Sequence, residues 1–236
     1  MDASSYATLS RQSGLIKEMQ VVANNIANAS TTGYRAGGLV FSEYIKGDGD
    51  GAISMGHAGA RMTDLAQGPL TRTEGTFDLA IEGDGFFLVQ TPDGPRLTRA
   101  GAFTPNGEGL LSTAEGHQVL DAGEAPIFVP AEADGIHIAS DGTISAGGQP
   151  LGQIGVFLPN DPQAMSRARG VLFDAPGGYE GAPDARVMQG VLEGSNVNAI
   201  EQITRMIEVQ RAYEMGQSFL ETEDERIRAA VKTMIK

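Results

Sequence analysis

Two groups of side chains in this sequence could support chemistry: a set of neighbouring carboxylates and an acidic, glycine-rich loop. Asp78, Glu82 and Asp84 lie close together along the chain. Paired carboxylates can act as general acid and general base, so this cluster is a candidate hydrolytic site. The loop from Gly47 to Gly51 alternates Asp and Gly, as a calcium loop does, but it lacks the third ligand and the bidentate Glu of an EF-hand. A solvated loop is the better interpretation.

Other catalytic residue types are scattered. His57, His117 and His137 are spread along the middle of the chain, without the spacing of metal ligands on a helix. The chain has no cysteine, which removes thiolate chemistry, disulfides and cysteine-based metal sites. No serine occupies a nucleophile elbow, and no glycine-rich loop joins a strand to a helix as phosphate binding requires. We therefore expect a protein that is not an enzyme and that has no cofactor and no metal.

The composition restricts the possible partners. The 236 residues carry a net charge of −13, which argues against nucleic acid and against an anionic membrane surface, because both require a basic face. The sequence has no apolar run of about 18 residues, so we expect no membrane insertion. Its start lacks the basic and apolar regions of a cleaved signal peptide.

The elements that would organise this chain lie at its two ends, and the longer one is C-terminal. Residues 193–236 are predicted to form this element, with Asn198 as N-cap and Glu201 completing a capping box. A helix of this length extends about 55 Å at roughly 1.5 Å per residue. Counting heptads from Ala199, the core positions are Ala199, Gln202, Met206, Val209, Tyr213, Gly216, Leu220, Glu223, Ile227, Ala230 and Met234. This nearly continuous apolar seam predicts a partner helix.

The N-terminal segment, residues 1–35, supplies that partner. Its predicted helix has an apolar stripe of Leu9, Ile16, Met19, Ala23 and Ile26, with Gln12 filling one seam position. We expect the two terminal helices to pair as a coiled coil. An ordinary helix pair inside a globular core fits the pattern equally well, but the position of both stripes at the chain ends favours a role in assembly.

Three asparagines near the end of the first helix permit two interpretations. Asn24, Asn25 and Asn28 precede a run of Ser, Thr and Gly that ends at Gly33. A helix C-cap accounts for the Ser, Thr and Gly residues, but it does not account for asparagines inside the helix, where Asn is a poor helix former. Polar packing between chains is the alternative.

The sequence between the helices is rich in glycine and has a different period. Residues 36–72 are predicted to be an extended connector. In residues 73–192, short alternating runs are separated by glycine-centred turns, the pattern of an antiparallel sandwich or irregular barrel. The predicted fold class is therefore α+β, with two paired terminal helices and an inserted antiparallel β domain.

Several motifs resemble those of one protein family. Residues 23–34, from Ala23-Asn24-Asn25 to Thr32-Gly33-Tyr34, and residues 194–198 with 206–214 resemble the two terminal signatures of bacterial flagellar rod and hook proteins. Residues 78–87 resemble the start of the β domain of the larger members. Residues 138–145 and 187–197 are most similar to the corresponding segments of proximal rod proteins, and distal rod proteins are the alternative. Hook proteins fit less well, because they are considerably longer.

The resemblance implies a structural subunit of the basal-body rod, located in the periplasmic part of the flagellum. In this family the terminal helices form the inner layer of a hollow tube that transmits torque, and the β domain lies outside it. The implied partners are other copies of the chain, neighbouring rod proteins and the type III export apparatus during secretion.

The residues expected at subunit interfaces follow from the seam and from the motifs. They are Ile16, Met19, Asn24, Asn25, Ile26, Asn28, Thr31, Gly33, Ser195, Asn196, Val197, Met206, Val209, Gln210, Arg211, Tyr213 and Leu220. Two other functions stay open at this point. A soluble β-domain binding module with a helical dimerisation stalk would form a discrete dimer with a ligand pocket. A hydrolase using Asp78, acting for example on peptidoglycan, would lose activity in Asp78→Asn.

Overall fold

The computed structural model describes residues 3–48, 51–130, 133 and 135–234. Two helices, α1 (Ala3–Ala27) and α2 (Ala199–Met234), flank a β-rich middle, so the predicted α+β class is confirmed. The chain divides into two compact units. The helical unit holds α1, α2 and residues 37–62, and the β unit holds residues 28–36 and 63–197. No helix within the described part of the chain is long and apolar enough to cross a membrane.

Eighteen strands occupy the middle of the described chain. They are β1 (Gly37–Asp48), β2 (Gly51–Thr63), β3 (Leu70–Arg72), β4 (Leu79–Glu82), β5 (Phe86–Thr91), β6 (Gly94–Thr98), β7 (Thr104–Pro105), β8 (Leu111–Ser112), β9 (Gln118–Val119), β10 (His137–Ile138), β11 (Thr143–Ala146), β12 (Gln149–Gln153), β13 (Val156–Pro159), β14 (Ser166–Arg169), β15 (Leu172–Asp174), β16 (Tyr179–Gly181), β17 (Arg186–Gln189) and β18 (Val191–Glu193).

In the helical unit, α1 and α2 run antiparallel. The side chain of Asn25 bonds to Gln202, and that of Gln12 donates to the carbonyl of Tyr213. Residue numbers therefore decrease along α1 in the direction in which they increase along α2. Strands β1 and β2 pair with each other. They lie in the segment that the sequence predicts to be an extended connector. The prediction does not include their pairing, because glycines interrupt the alternation of apolar residues. The acidic loop considered for calcium includes Gly49 and Asp50, which lie outside the described residues.

In the β unit, nine strands form one antiparallel sheet. Its main path is β14-β15-β6-β5-β9-β8-β7, and β13 joins it by pairing with β5 and with β16. Three smaller sheets are β10-β11-β12, β17-β4 and β18-β3. The two strands nearest to the ends of the unit, β3 and β18, pair from Leu70–Glu193 to Arg72–Val191. The segments that follow β2 and precede α2 therefore lie side by side.

Two apolar clusters hold the β unit together, because alternate residues of its strands point inward. The larger cluster includes Leu79, Ile81, Phe87 and Val89, and Phe87 stacks edge-on against Phe103 with ring centroids 5.2 Å apart. The smaller cluster includes Phe86, Leu88, Leu97, Leu120, Phe157, Met165 and Phe173. Burial stabilises each such side chain by about 1.5–3 kcal/mol.

Candidate subunit interface

The helix pair buries one face of α2. The positions that turn inward include Gln202, Met206, Val209, Tyr213 and Gly216, all buried or half-buried. They follow the predicted heptad positions, and Leu220 and Glu223 continue the series. Since α1 is shorter, the series ends there, and Ile227 is exposed. Four residues that were expected between subunits therefore pack within the chain: Met206, Val209, Tyr213 and Leu220.

On α1 the predicted stripe is wrong at three positions. Leu9, Ile16 and Ala23 are exposed. The inward positions are instead Gln12, Leu15, Glu18, Val22 and Asn25, which are buried, and Met19 and Ile26, which are half-buried. Gln12, Met19 and Ile26 were predicted correctly, whereas Leu15, Glu18, Val22 and Asn25 were missed. Two of the missed residues are polar, and they bond across the pair.

Asn25 shows why an amide lies in the seam. Its Nδ2 donates to the Gly37 carbonyl at 2.9 Å and to Gln202 Oε1 at 3.0 Å. Its Oδ1 accepts from the Gly37 N–H at 2.9 Å. The side chain thereby joins α1, β1 and α2, and buried polar groups that are fully bonded in this way fix a unique packing. Asn25 was expected to bond to another subunit, and the hydrogen bonds that the structure shows for it lie within the chain.

An ion pair joins the helices one turn further along. Arg205 Nε donates to Glu18 Oε1 at 2.6 Å, and Arg205 Nη1 donates to Glu208 Oε2 at 3.1 Å. The hydrogen bond to Glu18 raises the pKa of Arg205, burial lowers it, and the bond to Glu208 raises it again. Glu18 is buried, so this pair fixes the register of α1 against α2. The apolar periodicity of the sequence contains no signal for it.

In the β unit, the segments next to the two helices are tied together by Asn196. Its Oδ1 accepts from the Ala36 N–H at 2.6 Å, and its Nδ2 donates to the carbonyls of Asp64 and Ala66 at 3.1 and 3.0 Å. The Asn196 N–H donates to the Tyr34 carbonyl. Asn196 was expected to contact another subunit, but its side chain holds three segments of its own chain.

A buried ion cluster lies beside this junction. The fully buried Glu193 places Oε1 2.5 Å from Arg35 Nη1 and Oε2 3.1 Å from Arg99 Nη1, and Oε1 also accepts from the Gly68 N–H at 2.9 Å. The Arg35 contact is an ion pair without hydrogen-bond geometry, since all three guanidinium nitrogens of Arg35 lack a hydrogen-bond partner among the described residues. Sequence reasoning missed this cluster, although Arg35 and Glu193 directly adjoin the two terminal motifs.

The charges of this cluster change the pKa of Arg99. Burial lowers the pKa of Arg99, the carboxylate of Glu193 raises it, and the charge of Arg35 lowers it again. The exposed carboxylate of Asp84 raises the pKa of Arg99 as well, so Glu193 is shared by two buried guanidinium groups and Asp84 acts on Arg99. The guanidinium of Arg167 lies over the ring of Tyr34, 4.3 Å from its centroid, and donates to the Arg35 carbonyl. The Tyr34–Arg35 segment is thus fixed from both sides.

Gly33 and Ser195 also lie in the interior of the β unit. Gly33 has φ +69°, and a Cβ there would lie 2.2 Å from the Ala100 nitrogen, so this position requires glycine. The Gly33 N–H donates to the Glu193 carbonyl at 2.7 Å. Ser195 is buried, and its Oγ accepts from the Val197 N–H at 3.2 Å. Both residues were expected between subunits, and the structure places them inside one.

The remaining expected interface residues divide by exposure. Ile16, Asn24, Gln210 and Arg211 are exposed, whereas Asn28, Thr31 and Val197 are half-buried. The helices expose further large apolar side chains, of which Leu9 and Ile227 were predicted to lie in the seam and the others were not considered. These are Leu9, Ile200, Ile203, Ile207, Met215, Phe219, Ile227 and Val231. A monomer gains nothing from an apolar surface of this extent, and such patches mark contact sites.

The residues considered for chemistry are not assembled into a site. Asp78 accepts a hydrogen bond from Thr73 Oγ1 at 2.6 Å, which is a turn contact, and Glu82 and Asp84 are exposed. His117 lies at a cavity of about 580 Å³, and His137 is on β10. The side chain of His57 lies outside the described residues. Within the described ranges, no group of His, Asp and Glu side chains could hold a metal ion.

That cavity is lined by four threonines, and their hydroxyls bond mainly within the chain. Thr31 Oγ1 donates to Asn28 Oδ1 at 3.2 Å, Thr98 Oγ1 donates to the Val171 carbonyl at 3.2 Å, and Thr113 Oγ1 accepts from the His117 N–H. The cavity is also lined by Glu115, His117 and Arg169, so any polar ligand would depend on these side chains more than on the threonines. It lends little support to the binding-module alternative.

Comparison with known proteins gives a consistent result along the whole chain. Residues 6–35 match the family model "Flagella basal body rod protein". Residues 80–146 match "Flagellar hook protein FlgE/F/G D1 domain", and residues 188–233 match "Flagellar basal body rod FlgEFG protein C-terminal".

Whole relatives agree with these matches. The chain is 39% identical to the flagellar basal-body rod protein FlgF of Caulobacter vibrioides, over 100% of the chain and 99% of that protein. It is 35% identical to FlgF of Mesorhizobium japonicum, over 99% and 98%. The flagellar basal-body rod protein FlgG of Bacillus subtilis is 30% identical, over 96% and 97%. The similarity to FlgF is thus greater than that to FlgG.

Proposed function

Because this chain belongs to the flagellar basal-body rod family and is a FlgF-like structural subunit of the rod, not an enzyme, we propose that its terminal helices drive its polymerisation into a hollow shaft. The shaft transmits torque across the periplasm and encloses the export channel. Its partners are copies of the same chain and neighbouring rod proteins, and the chain reaches the rod through the type III export apparatus.

The proposal assigns different tasks to parts of the chain. Residues 1–35 and 193–236 form an inner helical domain as a coiled coil, residues 36–72 connect it to the exterior, and residues 73–192 form an outer β domain, a sandwich or irregular barrel. Ile16, Asn24, Gln210 and Arg211 are exposed and make contacts between subunits in this proposal.

The observation that supports this proposal best is the exposed apolar surface of the helices. Ile200, Ile203 and Ile207 are 77%, 50% and 46% exposed in the isolated chain. Apolar side chains on a helix pair gain about 1.5–3 kcal/mol each when a neighbour covers them. A subunit that is stable only among its neighbours has this arrangement.

The test is complementation of a strain from which the gene for this protein has been deleted. The wild-type chain should restore motility and be recovered in isolated basal bodies. The variant Ile26→Asp should do neither, because it places a charge at a half-buried seam position, while the β unit keeps its protection against hydrogen exchange. The substitution Ala23→Asp, at an exposed position about one turn before Ile26, is the matched control. Motile cells carrying Ile26→Asp would contradict the proposal.

Hydrogen exchange of the purified chain tests the binding-module alternative. We expect rapid exchange in residues 1–35 and 195–236 and strong protection between 75 and 190, because the helices await neighbours. Strong protection of both helices in a discrete dimer would instead favour a β-domain module with a dimerisation stalk.

A further inference from the structure

We propose that the Asn106-Gly107 turn is a modification site, at which the folded chain promotes the conversion of Asn106 to aspartate or isoaspartate by loss of ammonia. The turn joins β7 to β8 in the β unit. The reaction consumes water and requires no enzyme and no cofactor. It goes beyond the proposed function and does not depend on it, because every contact that promotes it lies within this part of the β unit.

The sequence brings the two reacting groups together. Of the seven asparagines in the chain, Asn106 is the one that precedes a glycine. In deamidation, the backbone nitrogen of the following residue attacks the side-chain amide carbon, so the groups already belong to adjacent residues. Both residues are exposed, and a Cβ at Gly107 would meet no atom within 4 Å. Among the described residues, no hydrogen bond engages the Gly107 N–H. The path of attack is therefore open.

Two backbone N–H groups point at the oxygen of the Asn106 side chain. The N–H groups of Glu108 and Leu110 each donate to Asn106 Oδ1 at 2.9 Å. Because both partners are donors, the amide must direct its oxygen toward them and not its NH₂ group. Negative charge develops on this oxygen when the Gly107 nitrogen attacks. Two donors that already face the oxygen stabilise that charge, as an oxyanion hole does in an acyl-transfer enzyme.

The rest of the turn holds the two donors in place. The Asn106 N–H donates to the Leu110 carbonyl at 2.8 Å, and the Gly109 N–H donates to the Asn106 carbonyl at 2.9 Å. Gly109 is buried against Phe128, since a Cβ at Gly109 would lie 2.7 Å from Cε2 of that ring. Donors fixed in this way need little reorganisation when the charge develops. The turn is therefore rigid at its base and open at the attacking residue.

The reaction is balanced by water alone. A bond forms between the Gly107 nitrogen and Asn106 Cγ, and the amide proton of Gly107 passes to a hydroxide ion of the solvent. The bond between Cγ and Nδ2 breaks, and ammonia leaves with a proton taken from water. Water then opens the cyclic imide at one of its two carbonyl carbons. Opening at Cγ gives aspartate, and opening at the backbone carbonyl gives isoaspartate. Either product adds one negative charge to the turn.

A second turn of the chain shows that the aspartate product fits. Asp121 Oδ1 accepts from the N–H groups of Gly123 and Ala125, both at 2.8 Å, and the Asp121 N–H donates to the Ala125 carbonyl. These are the contacts that Asn106 makes in its own turn. Aspartate at position 106 therefore keeps the turn intact. The number of converted chains increases with time since synthesis, so the charge of this turn records the age of the molecule.

Peptide mapping by mass spectrometry tests the proposal on the purified chain, incubated at neutral pH and constant temperature. Asn106 should convert at least as fast as it does in a synthetic peptide of residues 103–112, which lacks the base of the turn. Gly107→Ala should slow conversion about tenfold, because alanine reaches fewer conformations and its side chain obstructs the attack. This variant should fold normally, since the position is open. Asn198 also accepts from two N–H groups, but Ala199 follows it, so it is the internal control and should stay unmodified.

Transfer of the site tests the role of the two donors. The double variant Asp121→Asn/Ala122→Gly places an Asn-Gly pair under two N–H groups that the wild-type turn already directs at the side-chain oxygen. The substituted turn should also lose ammonia. If Asn106 converts more slowly in the folded chain than in the peptide, the turn protects the amide and the proposal is overturned. Conversion of Asn106 without conversion of the substituted turn would overturn it as well, because the donors would then not be the cause.

Discussion

Removal of the Glu193 charge should destabilise the β unit severely. Glu193 is fully buried, and its carboxylate faces Arg35, Arg99 and the Gly68 N–H. The variant Glu193→Gln keeps the size of the side chain and an acceptor for Gly68, but it leaves the buried Arg35 guanidinium without a counter-ion and leaves Arg99 with the exposed carboxylate of Asp84. Breaking a buried ion pair by removing one partner costs about 3–5 kcal/mol. That is a large part of the total stability of a domain, about 5–15 kcal/mol.

Hydrogen exchange of the strand amides is the appropriate assay, because the chain has two units and need not unfold in one step. A loss of about 3–5 kcal/mol accelerates exchange by roughly 2 to 3.5 orders of magnitude. The core amides of β5 and β6 should show this change. Glu82→Gln, an exposed glutamate of β4, is the matched control and should change stability by less than about 0.5 kcal/mol.

An acceleration of less than tenfold in Glu193→Gln would refute the reasoning. It would mean that water or another group neutralises the two arginines when the carboxylate is lost. The triple variant Arg35→Leu/Arg99→Met/Glu193→Leu distinguishes the cost of unpaired charge from the loss of packing. Since replacing a whole buried ion cluster by apolar residues is often neutral or stabilising, this variant should be more stable than Glu193→Gln.

Three further predictions concern other positions. Gly33→Ala should unfold or severely destabilise the β unit, because the added Cβ would lie 2.2 Å from the Ala100 nitrogen at φ +69°; a thermal midpoint within a degree of wild type would contradict this. Ile227→Asp should leave the circular dichroism spectrum of the purified monomer unchanged, because Ile227 is exposed and lies beyond the buried part of α2. The same variant should reduce incorporation into basal bodies. Normal incorporation would show that this part of α2 makes no apolar contact with a neighbour. Hydrogen bonds from Thr143 lower the pKa of Asp141, so its contribution to stability is present above the unfolded-state pKa and is lost as the pH falls through the lower folded-state pKa. Thr143→Ala removes the hydroxyl bond but keeps the larger contribution of the Thr143 N–H, so an NMR titration should show the pKa of Asp141 move part of the way back toward the ordinary aspartate value, and an unchanged titration would assign the shift to the backbone bond.

Periodicity and capping predicted the helices well, because both depend on local interactions. Asn198 caps α2 as predicted, with its side-chain oxygen accepting from the Ile200 N–H at 3.1 Å. The heptad positions of α2 from Gln202 to Leu220 are the positions that turn inward. In the middle of the chain, glycine turns and alternation predicted antiparallel strands, and the sheets are antiparallel.

The errors arise where polar residues determine the packing. The face of α1 was only partly predicted: Gln12, Met19 and Ile26 do turn inward, but Glu18 and Asn25 are buried there too, and a search for apolar residues does not detect them. Arg35, Arg99 and Glu193 were missed for the same reason: an ion cluster joins residues far apart in sequence, and no local pattern connects them. Motif residues such as Gly33 and Asn196 were correctly singled out, but their contacts within the chain depend on tertiary structure.

The two terminal motifs meet inside the β unit. Gly33 and Glu193 are separated by most of the sequence, yet their backbones are joined by a hydrogen bond of 2.7 Å. Gly33 also lies against Ala100, and Glu193 bonds to Arg99 and to the Gly68 N–H, so residues between the two motifs hold this junction together. A foreign domain grafted in place of the strands would therefore have to supply these contacts as well as closely spaced termini.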